Sequence, residues 1–211
     1  MKSITWISLF ALAWLGLAGC ATMSEDECLL SDWRAIGFED GARGYSAARL
    51  GDHRKACAKH GVVPDFDAYQ EGHDQGLRDY CQPARGFQLG SSGGQYQGMC
   101  AADLEPAFVD AWHNGQHLYL LRSNVNGADN AISNHQQALA NTKERIRDTE
   151  ARLIAQDTTP EDRVLLLADL KELSEDVGQI EAEIADLSED RVRYRQDLDA
   201  YENVLANTGY Y

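Results

Sequence analysis

Residues 166–205 read LLADLKELSEDVGQIEAEIADLSEDRVRYRQDLDAYENVL. Within this stretch Leu166, Leu170, Leu173, Val177, Ile180, Ile184, Leu187, Arg191, Tyr194, Leu198, Tyr201 and Leu205 alternate spacings of four and three residues, and only Arg191 is charged. A 3.5-residue apolar repeat sustained this long predicts the seam of a coiled coil. Upstream, Val125, Ile132, Leu139, Ile146 and Leu153 recur every seven residues, with Ala128, His135, Thr142 and Thr149 as a more polar companion row. Folding the chain near Asp157–Thr159 sets Leu153 against Leu166, Ile146 against Leu173, Leu139 against Ile180, Ile132 against Leu187 and Val125 against Tyr194. One register therefore serves all these pairs. It also sets Thr149 opposite Leu170, Thr142 opposite Val177, His135 opposite Ile184 and Leu121 opposite Leu198. Thr159-Pro160-Glu161-Asp162 supplies a threonine cap, proline in the first turn and acids near the positive end of the helix dipole. Two helices joined by so short a connection lie antiparallel. At 1.5 Å per residue the arm from Leu118 to Gln156 is ~60 Å long. The same register returns the C-terminus, so Tyr210 and Tyr211 are expected to pack as anchors near Phe108 and Trp112.

The sequence before this hairpin is built differently. Thirteen of the eighteen glycines lie between Gly37 and Gly115, and so do three of the five cysteines. Gly37, Gly41 and Gly44 are spaced to share one helix face, as are Gly72 and Gly76. Glycine inside a helix costs ~1 kcal/mol relative to alanine, so close backbone approach by another element is the expected compensation. Aromatic residues precede these glycines by about a turn. Phe87-Gln88-Leu89 and Gln95-Tyr96-Gln97, on either side of the loop Gly90–Gly94, suit either a small hairpin or a structured loop. The fold class that follows is mainly α: a small disulfide-stapled, glycine-rich helical head, then a long antiparallel coiled-coil hairpin. The expected divisions are 28–115 for the head, 116–207 for the hairpin with its turn at about 157–160, and 208–211 for an aromatic tail.

Trp33…Gly37…Asp40-Gly41…Gly44, His53…Cys57, Gly61…Pro64-Asp65…Tyr69…Gly72…Gly76-Leu77…Tyr80-Cys81 and Gly90…Gly93…Tyr96-Gln97-Gly98…Cys100 together resemble an uncharacterised family of small Gram-negative lipoproteins, known only as a domain of unknown function. The likeness covers about residues 28–115. It implies an envelope location and assigns no activity, substrate or site.

The first residues carry an address. Lys2 precedes an apolar run from Ile4 to Leu17, and Ala18 and Gly19 follow. That is the anatomy of a secretory signal over residues 1–19, too short to span a membrane. Leu17-Ala18-Gly19-Cys20 resembles a bacterial lipobox, which implies cleavage before Cys20, a diacylglycerol on its thiol and an acyl chain on its nitrogen. Two or more chains hold a protein on a bilayer stably. Ala21 rather than Asp follows the cysteine, so the expected location is the periplasmic face of the outer membrane. Residues 20–27 form the expected lipidated tether.

With Cys20 assigned to lipid, Cys28, Cys57, Cys81 and Cys100 remain. An even number of cysteines in an oxidising compartment reads as two disulfides. Cys28–Cys57 and Cys81–Cys100 each close a local loop and are the preferred pairing. Nineteen basic against 34 acidic residues give a net charge of −15. Such a surface repels phosphate backbones, so nucleic acid is not an expected partner. It also offers no polybasic patch for anionic lipid, which leaves membrane attachment to the acyl chains.

Candidate chemistry is sparse. His113 and His117 have a helical metal spacing, but Asn114 stands where the hydrolytic zinc motif carries glutamate. His53 and His60 flank Cys57, which is better used in a disulfide, and both histidines read as polar flanks. Asp65, Asp67, Glu71, Asp74 and Asp79 lack calcium-loop spacing, and Gly90–Gly94 lacks the lysine of a phosphate loop. No catalytic residue, metal or cofactor is expected beyond the lipid on Cys20. The leading functional expectation is a structural or protein-interaction module of the envelope, binding a partner or a second copy through the hairpin. The alternative is a small-ligand or cell-wall-glycan binding module, or a hydrolase, using a head surface that contains Trp33, Tyr69, Tyr80 and Tyr96.

Overall fold

The computed structural model describes residues 23–209. The signal, Cys20 and the tail tyrosines Tyr210 and Tyr211 lie outside the described residues. The described chain is mainly α. Its helices are α1 (Glu25–Leu29), α2 (Trp33–Ala42), a 3-10 turn (Ala47–Arg49), α3 (Leu50–Ala58), α4 (Phe66–Tyr80), α5 (Pro83–Ser91), α6 (Glu105–Ile154) and α7 (Pro160–Leu205). Phe87-Gln88-Leu89 belongs to α5, so the small hairpin suggested for that region is not formed. The division expected between residues 115 and 116 falls inside α6, which runs unbroken through it. The chain resolves into two compact units. The first takes the described residues up to Arg85 together with Tyr96–Phe108. The second takes Gly86–Gln95 and everything from Val109 onward.

In the first unit α2 and α4 cross in contact along their glycine faces. A Cβ built on Gly37 would stand 2.1 Å from the Tyr69 carbonyl oxygen, and one on Gly41 2.2 Å from that of His73. From the other side, a Cβ on Gly72 would stand 1.9 Å from the Arg34 oxygen and one on Gly76 2.1 Å from that of Phe38. No side chain fits there, which is the compensation for four glycines in helices. Gly44 differs from the expected third member of the face. It lies beyond the end of α2 with φ +76, where its amide bonds to the Gly41 carbonyl and that of Tyr45 to Asp40. This is a Schellman stop, which favours glycine. The Tyr80 ring covers it.

The disulfides pair Cys28 with Cys57 and Cys81 with Cys100, at Cα separations of 5.5 and 5.7 Å. The first ties α1 to α3. The second ties the end of α4 to the segment ahead of α6. Met23, Cys28, Trp33, Cys57 and Tyr69 form the core of this unit.

The second unit opens with the same device. A Cβ on Gly90 of α5 would stand 2.1 Å from the Trp112 oxygen, and one on Gly115 of α6 2.2 Å from that of Phe87. Gly93 has φ +77, makes the Schellman bonds through its own amide to Gly90 and that of Gly94 to Leu89, and is covered by the Tyr119 ring. The correspondence extends to sequence spacing. Gly37, Gly41 and Gly44 match Gly86, Gly90 and Gly93, while Tyr69, Gly72, His73, Gly76 and Tyr80 match Phe108, Ala111, Trp112, Gly115 and Tyr119. It also extends to one side-chain bond. His73 Nε2 lies 2.8 Å from the Tyr45 carbonyl oxygen, and Trp112 Nε1 donates to that of Gly94 at 2.9 Å. Each ring nitrogen meets the carbonyl of the residue directly after the stop glycine. The chain contains one helix-crossing unit twice.

From this crossing α6 and α7 run as an antiparallel pair. Their cross-links join residues placed symmetrically about the turn: Lys143 to Glu181 at 2.8 Å, His135 to Glu183 at 3.1 Å, Arg122 to Glu202 at 2.7 Å and Arg191 to Asp129 at 3.3 Å. Val125, Ala128, Ile132, Leu166 and Leu173 are buried along the seam, as are Thr142 and Thr149. Leu139, Ile146, Leu153, Ile180, Leu187 and Tyr194 are half-buried, because two helices alone leave part of their seam open to solvent. At the base, Leu205 closes a core with Phe87, Ala111 and Leu118, and the Tyr201 hydroxyl donates to the Asn114 carbonyl at 3.1 Å.

Candidate functional site

Two places warrant chemical inspection: a buried polar cluster in the first unit and the turn of the hairpin in the second.

The cluster centres on Asp40. Its place on α2 sets it among the glycines of the crossing, so its carboxylate is buried. Oδ2 lies 2.7 Å from His53 Nε2 and accepts from the Tyr69 hydroxyl at 2.9 Å, while Oδ1 pairs with Arg49 Nε at 2.9 Å. Arg49 in turn lies over the Tyr45 ring, 4.0 Å from its centroid. The Tyr69 ring stacks on His73 at 5.9 Å. Burial, then the bond to the Asp40 carboxylate, pushes the Tyr69 hydroxyl well above its ordinary pKa, so it stays a donor. His53 Nδ1, the nitrogen that an Asp–His pair would offer to a substrate, is buried and has no hydrogen-bond partner. The geometry ties one carboxylate to three side chains. What it does is join elements: Asp40 of α2 grips Arg49 and His53 and so fastens the 3-10 turn and α3 onto the α2–α4 pair.

This corrects two sequence expectations. His53 is a core residue and not a polar flank, because its ring reaches inward to Asp40. The four aromatics do not form a ligand surface. Trp33 and Tyr69 are buried. Tyr80 packs on Gly44 and lies 5.6 Å from the Phe108 ring. Tyr96 lies 5.0 Å from Phe108, donates to Glu105 at 2.9 Å and accepts from the Cys100 amide at 3.0 Å. Tyr80 covers backbone laid bare by Gly44 and Tyr96 ties the segment ahead of α6, while Trp33 and Tyr69 belong to the core. Sequence reasoning missed Asp40 and Arg49 as members of a cluster. The available signal was an acid three residues from Gly37 and one from Gly41, hence on the contact face. A cavity of about 670 Å³ lies beside the cluster, lined among others by Met23, Leu30, Ile36, Arg43, Arg49 and His53. His113 and His117 are exposed, the first against Trp112 and the second edge-on to Tyr201. Among the described residues no three His, Cys, Asp or Glu side chains come together as a metal site would need.

The turn of the hairpin is built with comparable care. Arg163 donates to the carbonyls of Leu153 and Ala155 at 2.6 and 3.0 Å, and Thr158 Oγ1 donates to that of Arg152 at 2.6 Å. These satisfy the last carbonyls of α6, which have no partner within the helix. Thr159 caps α7 by accepting from the Asp162 amide at 3.1 Å. On this rigid frame Ile154, Val164, Leu165 and Leu167 are exposed, at 78%, 66%, 65% and 56%. Asp157, Glu161, Asp162 and Asp169 surround them in sequence.

The duplicated crossings decide the comparison with known proteins. Residues 32–117 match the family described as "Protein of unknown function (DUF2799)". The DUF2799 stretch starts at Asp32, the cap of α2, whose carboxylate accepts from the Arg34 and Ala35 amides, and ends just past Gly115. It therefore takes in the contact glycines of both crossings and ends within the first turns of α6, so DUF2799 covers the Asp40 cluster and leaves out the hairpin turn. No curated protein and no solved structure matches the chain.

Proposed function

We propose that this protein is a lipid-anchored component of a bacterial envelope, held by Cys20 on the periplasmic face of the outer membrane, that acts by protein interaction and carries no catalytic site. In this reading α6 and α7 are a spacer and their turn is the docking element. The observation that carries it is where apolar side chains are exposed in the second unit. Among the described residues, no large exposed apolar side chain lies between Leu120 and Ile154 on α6, or between Leu167 and Val192 on α7. The middle of the arm, ~37 Å over which neither helix exposes such a side chain, is solvated and laced with ion pairs. Apolar exposure returns at the turn. A side-by-side bundle of two arms would be favoured by large, fully exposed apolar side chains along the shaft, and between those residues the shaft offers only the half-buried edge of its own seam. The acids around the turn favour a partner with a cationic rim over a second copy, whose own acids would meet them.

The lipobox-like Leu17–Cys20 and the disulfides support an extracytoplasmic location. The test is capture from intact cells with the anchored protein as bait, comparing it with a Leu165→Asp/Leu167→Asp variant. Loss of one discrete partner, with helicity and melting unchanged, is expected. Equal recovery of the same partner by both forms contradicts the reading.

A further inference from the structure

The site of lipid attachment and the start of the folded chain are close in sequence, and the structure shows how close. Met23 is 7% exposed and belongs to the core with Cys28, Trp33, Cys57 and Tyr69, and its sulfur lies 3.9 Å from that of Cys57. Ser24 then caps α1, accepting from the Glu27 amide while Glu27 accepts from that of Ser24. The tether expected over residues 20–27 is therefore fixed from Met23 onward. Only Ala21 and Thr22 separate it from Cys20. Three residue steps span at most ~11 Å even when fully extended.

From this we propose that the face of the first unit bearing Met23, Leu29 and Leu30 rests directly on the lipid surface, with no flexible stalk. The inference rests on the lipid-anchor reading above. Leu30 is 85% exposed and Leu29 59%. Leu30 shares the lining of one cavity with Met23, so it stands near the first described residue of the chain. Two adjacent exposed leucines at the end of a disulfide-held helix suit the boundary between headgroups and acyl chains. Glu25, Asp26 and Glu27 on the same short helix make an anionic surface unfavourable. The surface that fits is therefore zwitterionic. Among the described residues no helix is long and apolar enough to cross a membrane, so contact is superficial.

The test uses the full-length protein purified with its anchor, its mass checked for acyl chains, in phosphatidylcholine vesicles. A nitroxide is attached at position 30 through an incorporated keto amino acid, which leaves both disulfides intact. Its relaxation by dissolved oxygen is compared with that by a water-soluble nickel chelate. Oxygen is expected to dominate in the anchored protein and nickel in the Cys20→Ser form. Inserting twelve Gly/Ser residues between Thr22 and Met23 is expected to shift the anchored label at least severalfold toward nickel. An acylated protein whose label behaves like the Cys20→Ser form overturns the apposition and leaves the anchor standing. A mass without acyl chains overturns the anchor, and this inference with it.

Discussion

The two helix crossings differ in how each holds its third element. Both use glycine to bring two backbones together, stop the first helix with a Schellman glycine under a tyrosine ring, and aim a ring nitrogen at the carbonyl beyond that stop. In the first, Asp40 then reaches out to Arg49 and His53. In the second, the equivalent position is Leu89, and α7 attaches through Leu205 packed with Phe87, Ala111 and Leu118. The crossing itself therefore does not require a buried carboxylate. What requires it is the neighbour. The 3-10 turn and α3 are short and mostly polar, with few apolar side chains to bury, and they are held by a disulfide and an ionic clip. The helix α7 carries a long apolar stripe and docks through it with no buried carboxylate, its polar links to α6 being a tyrosine hydroxyl and ion pairs at the rim. One scaffold accepts both kinds of attachment.

The largest expected effect tests the crossing. Gly72→Leu places side-chain atoms where the Arg34 carbonyl already stands, and is expected to lower stability by about 4 kcal/mol or more, the range reserved for gross overpacking. Thermal unfolding reads it. A loss below about 1 kcal/mol would mean the helices can part cheaply. Next comes the clip. Asp40→Leu strands Arg49, His53 and the Tyr69 hydroxyl, and breaking a buried ionic cluster from one side costs about 3–5 kcal/mol. Asp40→Leu/Tyr69→Phe copies the Leu89 and Phe108 of the second crossing. It is expected to be more stable than Asp40→Leu by about 1 kcal/mol, since one orphaned donor is gone. If the two changes simply add in denaturant titrations, the comparison between the crossings fails.

A smaller effect follows from Tyr69. Its pKa is raised in the folded state, so its contribution to stability is complete below the unfolded value near 10 and is lost as pH rises above it. Between about pH 9 and pH 11 the parent protein should lose more stability than Tyr69→Phe, with Tyr80 and Tyr96, also raised by burial, supplying the same background in both. Equal losses would place the Tyr69 hydroxyl in contact with water. The smallest expected effect has the opposite sign. Gly127 and Gly178 lie in the hairpin helices with nothing within 4 Å of a built Cβ. Replacing either with alanine should raise stability by about 0.5–1 kcal/mol. The same exchange is therefore stabilising in the shaft and severe at a crossing.

The hairpin was legible because its information is periodic: the stripe from Leu166 to Leu205 fixes the helix, and its mirror from Val125 to Leu153 fixes the register. The disulfide pairing followed from short loops. The glycine faces were legible as contact surfaces, but Gly44 could not be told from Gly37 and Gly41 by spacing alone, since a helix stop and a helix contact recur at the same interval. The Asp40 cluster was legible only at Asp40, whose spacing from the glycines sets it on the contact face. Asp40, Arg49, His53 and Tyr69 meet across four elements, and nothing in the spacing of the other three marks them as its partners. The apolar residues at the turn were visible as letters, but their exposure was not. Leu165 and Leu167 differ from Leu166 only in which way the helix turns them.

The claim on which the functional reading turns is that the shaft separates and the turn docks. The most direct measurement is photo-cross-linking in intact cells, with the reactive side chain placed in turn at position 165 and at position 143, mid-shaft. A discrete heterologous adduct from position 165, absent from position 143 and lost when Ile154 is changed to Asp, is the expected result. Adducts to a partner from position 143 with none from position 165 would make the shaft the binding surface and contradict the reading.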